Sequence, residues 1–328
     1  MVRLDNPPPR TYTPQEGAGM EKSIAAGRGG TWRRLVKYRA LYAMALPVLA
    51  LFAVFELVPL LNNFLIGFVE YNLMGGVWKS PWVGLANFKA FFDDPFFIRL
   101  LRNTFLIGFY TLLVGFPAPI LLALLFNEIR SLWFKKLAQT VSYLPHFIST
   151  VVLVGFINSL FSSVGSVNLL LAKLGLPSVH FLGNPAWFRP LYIGSEVWAG
   201  IGWGTILYLA AIAGVNPELY EAAYMDGANR FRQALHVTLP CIAPTITILL
   251  ILSVGNILKV GFQKVFLMQN DAILEVADVF KTYIYRRGIR GMEYGFAGAV
   301  GFFDSCVSLA LIVIANFISR RVSESSLF

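Results

Sequence analysis

The sequence is poor in charged residues, which make up 14% of its 328 positions, whereas soluble domains carry about 25%. Hydrophobic residues account for 56% of the chain, and the mean hydropathy is +0.63. A chain with so few charges does not have enough polar side chains to cover a water-exposed surface. We therefore predict an integral membrane protein.

Cysteine and histidine are also scarce, with two and three residues. Both cysteines, Cys241 and Cys306, lie in long apolar stretches, which excludes a disulfide framework and gives no spacing for a metal site. The sequence has no Gly-rich phosphate loop, no His-Glu-x-x-His and no Gly-x-Ser-x-Gly. We assign this chain no catalytic, cofactor or metal site, and expect no nucleic-acid partner.

Apolar stretches long enough to cross a membrane recur along the chain. A membrane helix needs about 20 mostly apolar residues, and the pattern predicts about six spans in an all-α polytopic fold. Their bounds are roughly 40–68, 103–126, 139–161, 191–214, 239–262 and 296–318.

Basic residues gather at one set of span ends, and this predicts the orientation, since Lys and Arg are enriched on the cytoplasmic side. Both termini are then cytoplasmic. Residues 1–31 are predicted to be a flexible tail, 32–320 the membrane domain and 321–328 a short second tail. The basic residues that set this orientation are Arg28, Arg33, Arg34, Lys37, Arg39, Arg130, Lys135, Lys136, Arg230, Arg232, Arg320 and Arg321.

A polar stretch, residues 216–240, separates the fourth and fifth predicted spans. Asn216 is a good N-cap and Pro217 fits the first helical position, so a short helix should begin there. Gly227 permits a bend where that helix ends. The sequence therefore predicts a short cytoplasmic helix, for which the plain alternative is an amphipathic helix lying on the membrane surface.

This stretch resembles the signature loop of ABC-importer permeases. The match falls on Glu221, Ala222, Ala223, Gly227, Val237, Leu239 and Pro240, with Val237 where the pattern more often has Ile. The resemblance implies a coupling helix that docks on a separate ATP-hydrolysing subunit. It assigns this coupling role to Glu221, Ala222, Ala223, Asp226, Gly227, Arg230, Leu239 and Pro240.

The resemblance extends over roughly residues 40–320, towards the carbohydrate-type permeases that import oligosaccharides and polysaccharides. Supporting segments are 143–145, 255–258, 278–286 and 297–301. It implies a type I importer fold, a second homologous permease subunit, two ATP-binding cassette subunits that bind ATP and Mg, and an extracytoplasmic solute-binding protein. The implied cargo is a saccharide, and similarity to alginate importers implies an acidic one.

Polar residues on the fifth predicted span indicate a cargo path. Ser253, Asn256, Lys259 and Gln263 recur at helical spacing, and polar groups at membrane depth usually face a bundle interior or a water-filled cavity. The alternatives are interhelical hydrogen bonds and, for Lys259, snorkelling to the interface. Sugar-importing relatives imply an amide near position 259, whereas a lysine suits a carboxylate-bearing saccharide.

Further cargo-path candidates are acidic or aromatic. Asp304 and Glu196 are expected either to pair with Lys259 or to hold helices together. Aromatic candidates for stacking on sugar rings are Tyr192, Trp198, Trp203 and, foremost, Tyr208.

The third outer segment, roughly residues 263–295, is unusually basic for a segment expected outside the cell. Its charges either serve an acidic ligand or are solvated and paired with nearby acids. The basic residues are Lys281, Arg286, Arg287 and Arg290, and the acids are Asp271, Glu275, Asp278 and Glu293.

A secondary transporter or channel is the main alternative function. It predicts inverted repeats or proton-relay acids, and it leaves the signature loop unexplained.

Overall fold

The computed structural model describes residues 38–322, with side chains described as far as residue 317. Regular structure in this part of the chain is helical, apart from one isolated antiparallel bridge between Val69 and Trp82. The predicted N-terminal tail lies outside the described residues. The last helix continues to Val322 and includes the first two residues of the predicted C-terminal tail. The rest of that tail, residues 323–328, also lies outside the described residues.

The described residues contain six helices that are long and apolar enough to cross a membrane, which confirms the predicted number of spans. Their bounds are Arg39–Ile66, Phe97–Glu128, Thr150–Lys173, Pro185–Ala213, Arg230–Gly255 and Tyr294–Phe317. The chain divides into two compact units, Met1–Asn62 and Asn63–Phe328.

The first unit holds most of the first span. Helix α1, Arg39–Phe52, contains Pro47 and is followed by a π-helical turn, Ala53–Leu57, and then by α2, Val58–Ile66. A proline inside a helix removes one backbone hydrogen bond. The apolar side chains of this unit are largely exposed, as expected of a helix whose solvent is lipid.

The second unit begins within α2 and contains the other helices. These are α3 (Ala86–Phe92), α4 (Phe97–Gly115), α5 (Pro117–Glu128), α6 (Leu132–Tyr143), α7 (Thr150–Phe161), α8 (Ser166–Lys173), α9 (Pro185–Ala213), α10 (Pro217–Met225), α11 (Arg230–Gln233), α12 (Leu239–Gly255), α13 (Phe262–Met268), α14 (Leu274–Ala277), α15 (Phe280–Tyr283) and α16 (Tyr294–Val322). Two π-helical turns, Ala234–Thr238 and Ile284–Arg290, lie between α11 and α12 and after α15.

The third span differs from the prediction of one helix over 139–161. Helix α6 ends at Tyr143, a 3-10 turn covers Leu144–Phe147, and α7 starts afresh at Thr150. Proline has no N–H to continue an α-helix, and Pro145 sits in the turn. Ser149 then caps the new helix by accepting a hydrogen bond from Val152 N at 3.4 Å.

The fifth span also differs, because α12 ends at Gly255 rather than continuing to residue 262. Residues 256–261 have no α-helical structure, and the chain resumes as α13 at Phe262. The break packs tightly against α4, where a Cβ on Gly108 would overlap the carbonyl oxygen of Ile257. Only a glycine allows the two backbones to approach so closely.

Buried apolar residues form clusters at different levels of the second unit. One cluster joins α4, α7, α9 and α13, and another joins α5, α9 and α12 close to the 216–240 loop. A third, rich in aromatics, packs α3, α4 and α15 against the start of α16. The first two clusters both include residues of the fourth span, α9, which therefore packs against helices from most of the second unit.

Candidate functional site

The 216–240 loop contains the short helix that the sequence predicts. Helix α10 begins after Asn216, whose side-chain oxygen accepts a hydrogen bond from Glu218 N at 3.1 Å. It ends at Met225, two residues before Gly227, which has a φ of 78°, and Ala228 N donates to Ala223 O at 2.9 Å to close the last turn. This is the left-handed helix end that glycine favours.

One side of the loop is open to solvent. Glu221, Ala222, Asp226 and Gly227 are all exposed, and Ala223 is half-buried. The exposed apolar side chains beside them are Tyr224, Met225 and Phe231, with 73%, 83% and 76% of their surfaces accessible. Exposed apolar side chains rimmed by charges are typical of a protein interface.

The base of the loop is tied to the membrane helices. The Tyr220 hydroxyl lies 3.0 Å from Thr238 Oγ1, and Thr238 is buried. Arg230 forms an ion pair with Glu128 at the end of α5, at 2.7 Å. Leu239 packs with the adjacent apolar cluster, while Pro240 occupies the first turn of α12. The base of the loop is thus connected by side-chain contacts to the second and fifth spans.

A cavity of about 480 Å³ lies between α4, α5, α9 and α12. The broken segment after α12 forms another part of its wall. The polar side chains that line this cavity are Thr111, Tyr192, Glu196, Tyr208, Ser253, Asn256 and Lys259.

The structure brings together most, but not all, of the predicted cargo-path residues. Ser253, Asn256, Lys259 and Tyr208 line the cavity, whereas Gln263 and Asp304 do not. The single helical face that suggested this set does not exist, because α12 ends at Gly255. Lys259 reaches the cavity from the non-helical break instead. Of the weaker aromatic candidates, Tyr192 lines the cavity, and Trp198 and Trp203 do not.

The Lys259 ammonium forms no hydrogen bond or ion pair within residues 38–317. Glu196, one of its two predicted partners, binds Lys264 instead. The other, Asp304, interacts with Lys259 only through the longer-range electrostatic field, which it shares with Lys281. Lys259 therefore presents an uncommitted positive charge at the cavity wall.

Sequence reasoning missed Lys264, the cation behind the cavity wall. Lys264 Nζ donates to Glu196 Oε2 at 2.5 Å and to the Tyr192 carbonyl at 3.0 Å, and it lies 4.6 Å from the centre of the Tyr192 ring. Burial lowers the pKa of the Lys264 ammonium, and Glu196 opposes that shift. The sequence did carry a signal for this pair, since Lys264 stands alone in an apolar stretch. A lysine buried there needs a carboxylate partner.

The basic outer segment is largely occupied by ion pairs. Arg286 binds the fully buried Asp278, and Arg287 binds Asp94 and Glu293. Tyr283 donates to Asp94 at 2.7 Å, and burial raises the pKa of this tyrosine, with the hydrogen bond acting in the same direction. For these two arginines the structure favours the predicted pairing with acids over an acidic ligand.

A family model described as "Binding-protein-dependent transport system inner membrane component" matches residues 115–324. The chain belongs to this family. It is thus a multi-pass inner-membrane permease component of a binding-protein-dependent ABC transporter, and it is not itself the ATP-hydrolysing subunit.

Curated relatives cover nearly the full length of the permease. It is 44% identical over 307 residues to Protein LplB of Bacillus subtilis (strain 168), across 93% of this chain and 96% of the relative. It is 43% identical over 296 residues to the polygalacturonan/rhamnogalacturonan transport system permease protein YteP of the same organism, across 90% and 92%.

Solved structures share the fold. A bacterial alginate ABC transporter, in complex with an alginate pentasaccharide-bound periplasmic protein, contains a chain that matches with a TM-score of 0.84 and 41% identity, over 91% of this chain and 100% of that one. A second structure, of an ABC transporter that imports the acidic polysaccharide alginate, matches with a TM-score of 0.82 and 43% identity, over 89% and 99%. These similarities confirm the predicted all-α, type I permease fold.

Proposed function

We propose that the permease forms, together with a second permease subunit, the membrane path of an importer for an acidic oligosaccharide or polysaccharide. A solute-binding protein outside the membrane delivers the cargo to this path. The observation that carries the proposal is Lys259, whose ammonium lies at the wall of the 480 Å³ cavity without a hydrogen bond or ion pair among the described residues.

The position of Lys259 is favourable for a carboxylate. Lys259 is exposed, so its ammonium is accessible to the carboxylate of a cargo in the cavity, and a hydrogen bond between these two charged groups would be charge-assisted. Neutral hydroxyls of a saccharide have acceptors and donors nearby in Ser253 and Asn256. The cavity thus combines groups for a sugar ring with one charge for an acid.

The similar proteins support the same class of cargo. YteP is named for the transport of polygalacturonan and rhamnogalacturonan, which are polymers that contain uronic acids. The second solved structure is that of an ABC transporter involved in the import of the acidic polysaccharide alginate. These cargoes differ in their sugars and share the carboxylate that Lys259 suits.

In this proposal the 216–240 loop is the docking site for an ATP-binding cassette subunit. Two such subunits bind ATP and Mg, so no cofactor resides on this chain. The exposed face of α10 supports this role, and the ties of the loop base to Glu128 and Thr238 provide the mechanical connection. The loop, both termini and the two predicted tails are cytoplasmic. Residues 32–320 then form the membrane domain.

Cargo-stimulated ATPase activity tests the acidic-cargo proposal. The complete complex is reconstituted with its binding protein, and matched neutral and uronate-containing oligosaccharides are compared. We expect stimulation by the uronates only. Lys259→Ala should raise the half-stimulating uronate concentration on the order of tenfold, because a charge-assisted hydrogen bond contributes about 1.5–3 kcal/mol and tenfold corresponds to about 1.4 kcal/mol.

The matched control is Lys259→Arg, which keeps the charge and should retain most of the response. Stimulation of the unmodified complex by neutral saccharides alone would refute the acidic cargo. Equal losses for both cargoes in Lys259→Ala would remove the argument from charge.

A further inference from the structure

Four arginines lie around the ends of α4 and α9 that point away from the 216–240 loop. Arg99 and Arg102 are three residues apart on α4 and therefore share a side of that helix. Arg189, on the first turns of α9, donates to Asn103 Oδ1 at 3.1 Å, and Arg102 is close enough to Arg189 for the two positive charges to interact. Arg286 approaches from the turn after α15.

Acidic groups do not balance this arginine cluster. Asp278 is fully buried and is shared by Arg286 and, at 3.6 Å, by Arg99. The Glu275 carbonyl accepts a hydrogen bond from Asn103 at 2.8 Å, but its exposed carboxylate forms no ion pair within residues 38–317. Counting both acids, four positive charges still face two negative ones.

Arg102 and Arg189 hold the uncommitted charge. The Arg102 guanidinium has no hydrogen bond or ion pair among the described residues. Among the same residues Arg189 makes one hydrogen bond, to Asn103, and its Nε is buried without a hydrogen-bond partner, as is Nε of Arg99. Like charges held together cost free energy, and buried unpaired donors add to that cost. An anion between these guanidiniums would relieve both.

The cluster stands directly beyond the cavity. Ile107 and Tyr192 line the cavity, and Arg102 and Arg189 precede them on the same helices by about 5–8 Å along the axis, at 1.5 Å per residue. Both helices run from the cluster, past the cavity, towards the loop end of the molecule. Cargo that enters from the side opposite the loop passes the arginines first.

We propose that Arg102 and Arg189 form an anion subsite that binds a carboxylate of the saccharide chain before the chain reaches Lys259. A guanidinium presents parallel N–H donors that match the two oxygens of a carboxylate. Arg99 contributes positive potential while it holds Asp278. The subsite rests on the proposed acidic cargo, and it adds a second recognition point on the same polymer.

The experiment measures stimulation of the reconstituted complex by a uronate oligosaccharide in nanodiscs of zwitterionic lipid. Arg102→Gln is the main variant, because Arg102 is exposed and its replacement removes no hydrogen bond or ion pair that the described residues form. We expect its half-stimulating concentration to rise about two- to fivefold, the range typical of one solvent-accessible charge pair. The difference from the unmodified protein should shrink as salt screens the charges.

Matched variants separate the possible causes. The half-stimulating concentration of Arg102→Lys should lie between those of the unmodified protein and of Arg102→Gln. Arg189→Lys tests the second guanidinium while keeping its charge. Lys173→Gln removes one exposed positive charge from α8 and should change nothing.

Several outcomes would overturn the subsite. An unchanged uronate response in Arg102→Gln, alongside a selective loss in Lys259→Ala, would remove the arginine subsite and leave the acidic-cargo proposal standing. An equal loss with uronate and neutral cargo would assign Arg102 to docking of the binding protein. An effect seen only after anionic lipid is added to the nanodiscs would assign it to a lipid headgroup. Stimulation of the unmodified complex by neutral cargo alone would instead refute the proposed function.

Discussion

Gly227 provides the sharpest test of how the 216–240 loop works. Its φ of 78° closes the end of α10, and a Cβ at this position would meet nothing within 4 Å. Replacing Gly227 therefore creates no clash within the permease. Any effect must come from the backbone conformation or from the groove of a docked partner.

The two causes predict different orders of effect. An L-residue in the left-handed region costs about 1–2 kcal/mol, whereas Asn tolerates it better than most. Gly227→Ala should thus lower the population of the observed loop ending about 5- to 30-fold, which is the factor that this energy represents. Gly227→Asn carries a larger side chain but should lower it much less.

Coupling is measured as ATP hydrolysed per saccharide imported in proteoliposomes. We expect this ratio to rise clearly in Gly227→Ala and little in Gly227→Asn, with Glu221→Ala as an uncoupled reference on the exposed face of the same helix. Equal uncoupling by Ala and Asn would show that side-chain volume in the partner's groove decides, and would refute the backbone argument. Unchanged coupling in Gly227→Ala and in Glu221→Ala would refute the coupling role of the loop.

Two further predictions concern the walls of the cavity. Gly108→Ala should lower stability by about 1–3 kcal/mol, because its Cβ would overlap the Ile257 carbonyl. The control is Gly155→Ala in α7, where a Cβ meets nothing within 4 Å. Equal melting temperatures of the two variants in detergent would contradict the close packing at Gly108. Lys264→Met should cost about 1–3 kcal/mol by leaving Glu196 Oε2 and the Tyr192 carbonyl without their donor. Since the folded-state pKa of Lys264 is lowered, the folded protein binds fewer protons there than the unfolded chain. Stability should therefore rise with pH in the window below the ordinary lysine pKa, about 10.4, and Lys264→Met should lose this dependence. The same pH profile in both proteins would contradict the lowered pKa of Lys264.

Local features of this protein follow from the sequence alone. The six spans depend on runs of apolar residues, and a run is visible without knowing its neighbours. The loop helix depends on Asn216, Pro217 and Gly227, which act on backbone within a few residues of themselves. Such features are read correctly because their physical causes are local.

The breaks in the spans were less accessible to sequence reasoning. Pro145 lies within the third span that the sequence predicts as one helix, and a 3-10 turn at this proline separates α6 from α7. Gly255 and Asn256 give no comparable signal, and the sequence predicts the fifth span as one helix through residue 262. Hydropathy does not reveal the break at residues 256–261, because apolar residues continue across it. The close approach of Gly108 to Ile257 accompanies the break, and it depends on how the helices pack.

The cavity and its charges were decided by tertiary structure. Lys264 and Glu196 are 68 positions apart, and Arg189 and Asn103 are 86 apart, so no periodicity links either pair. Sequence reasoning identified Lys259 as a charge in an apolar setting, but it offered Glu196 as a partner that Lys264 in fact occupies. Which charges remain free for a ligand depends on which helices pack together, because a charge at membrane depth takes whichever counter-charge the packing brings within reach.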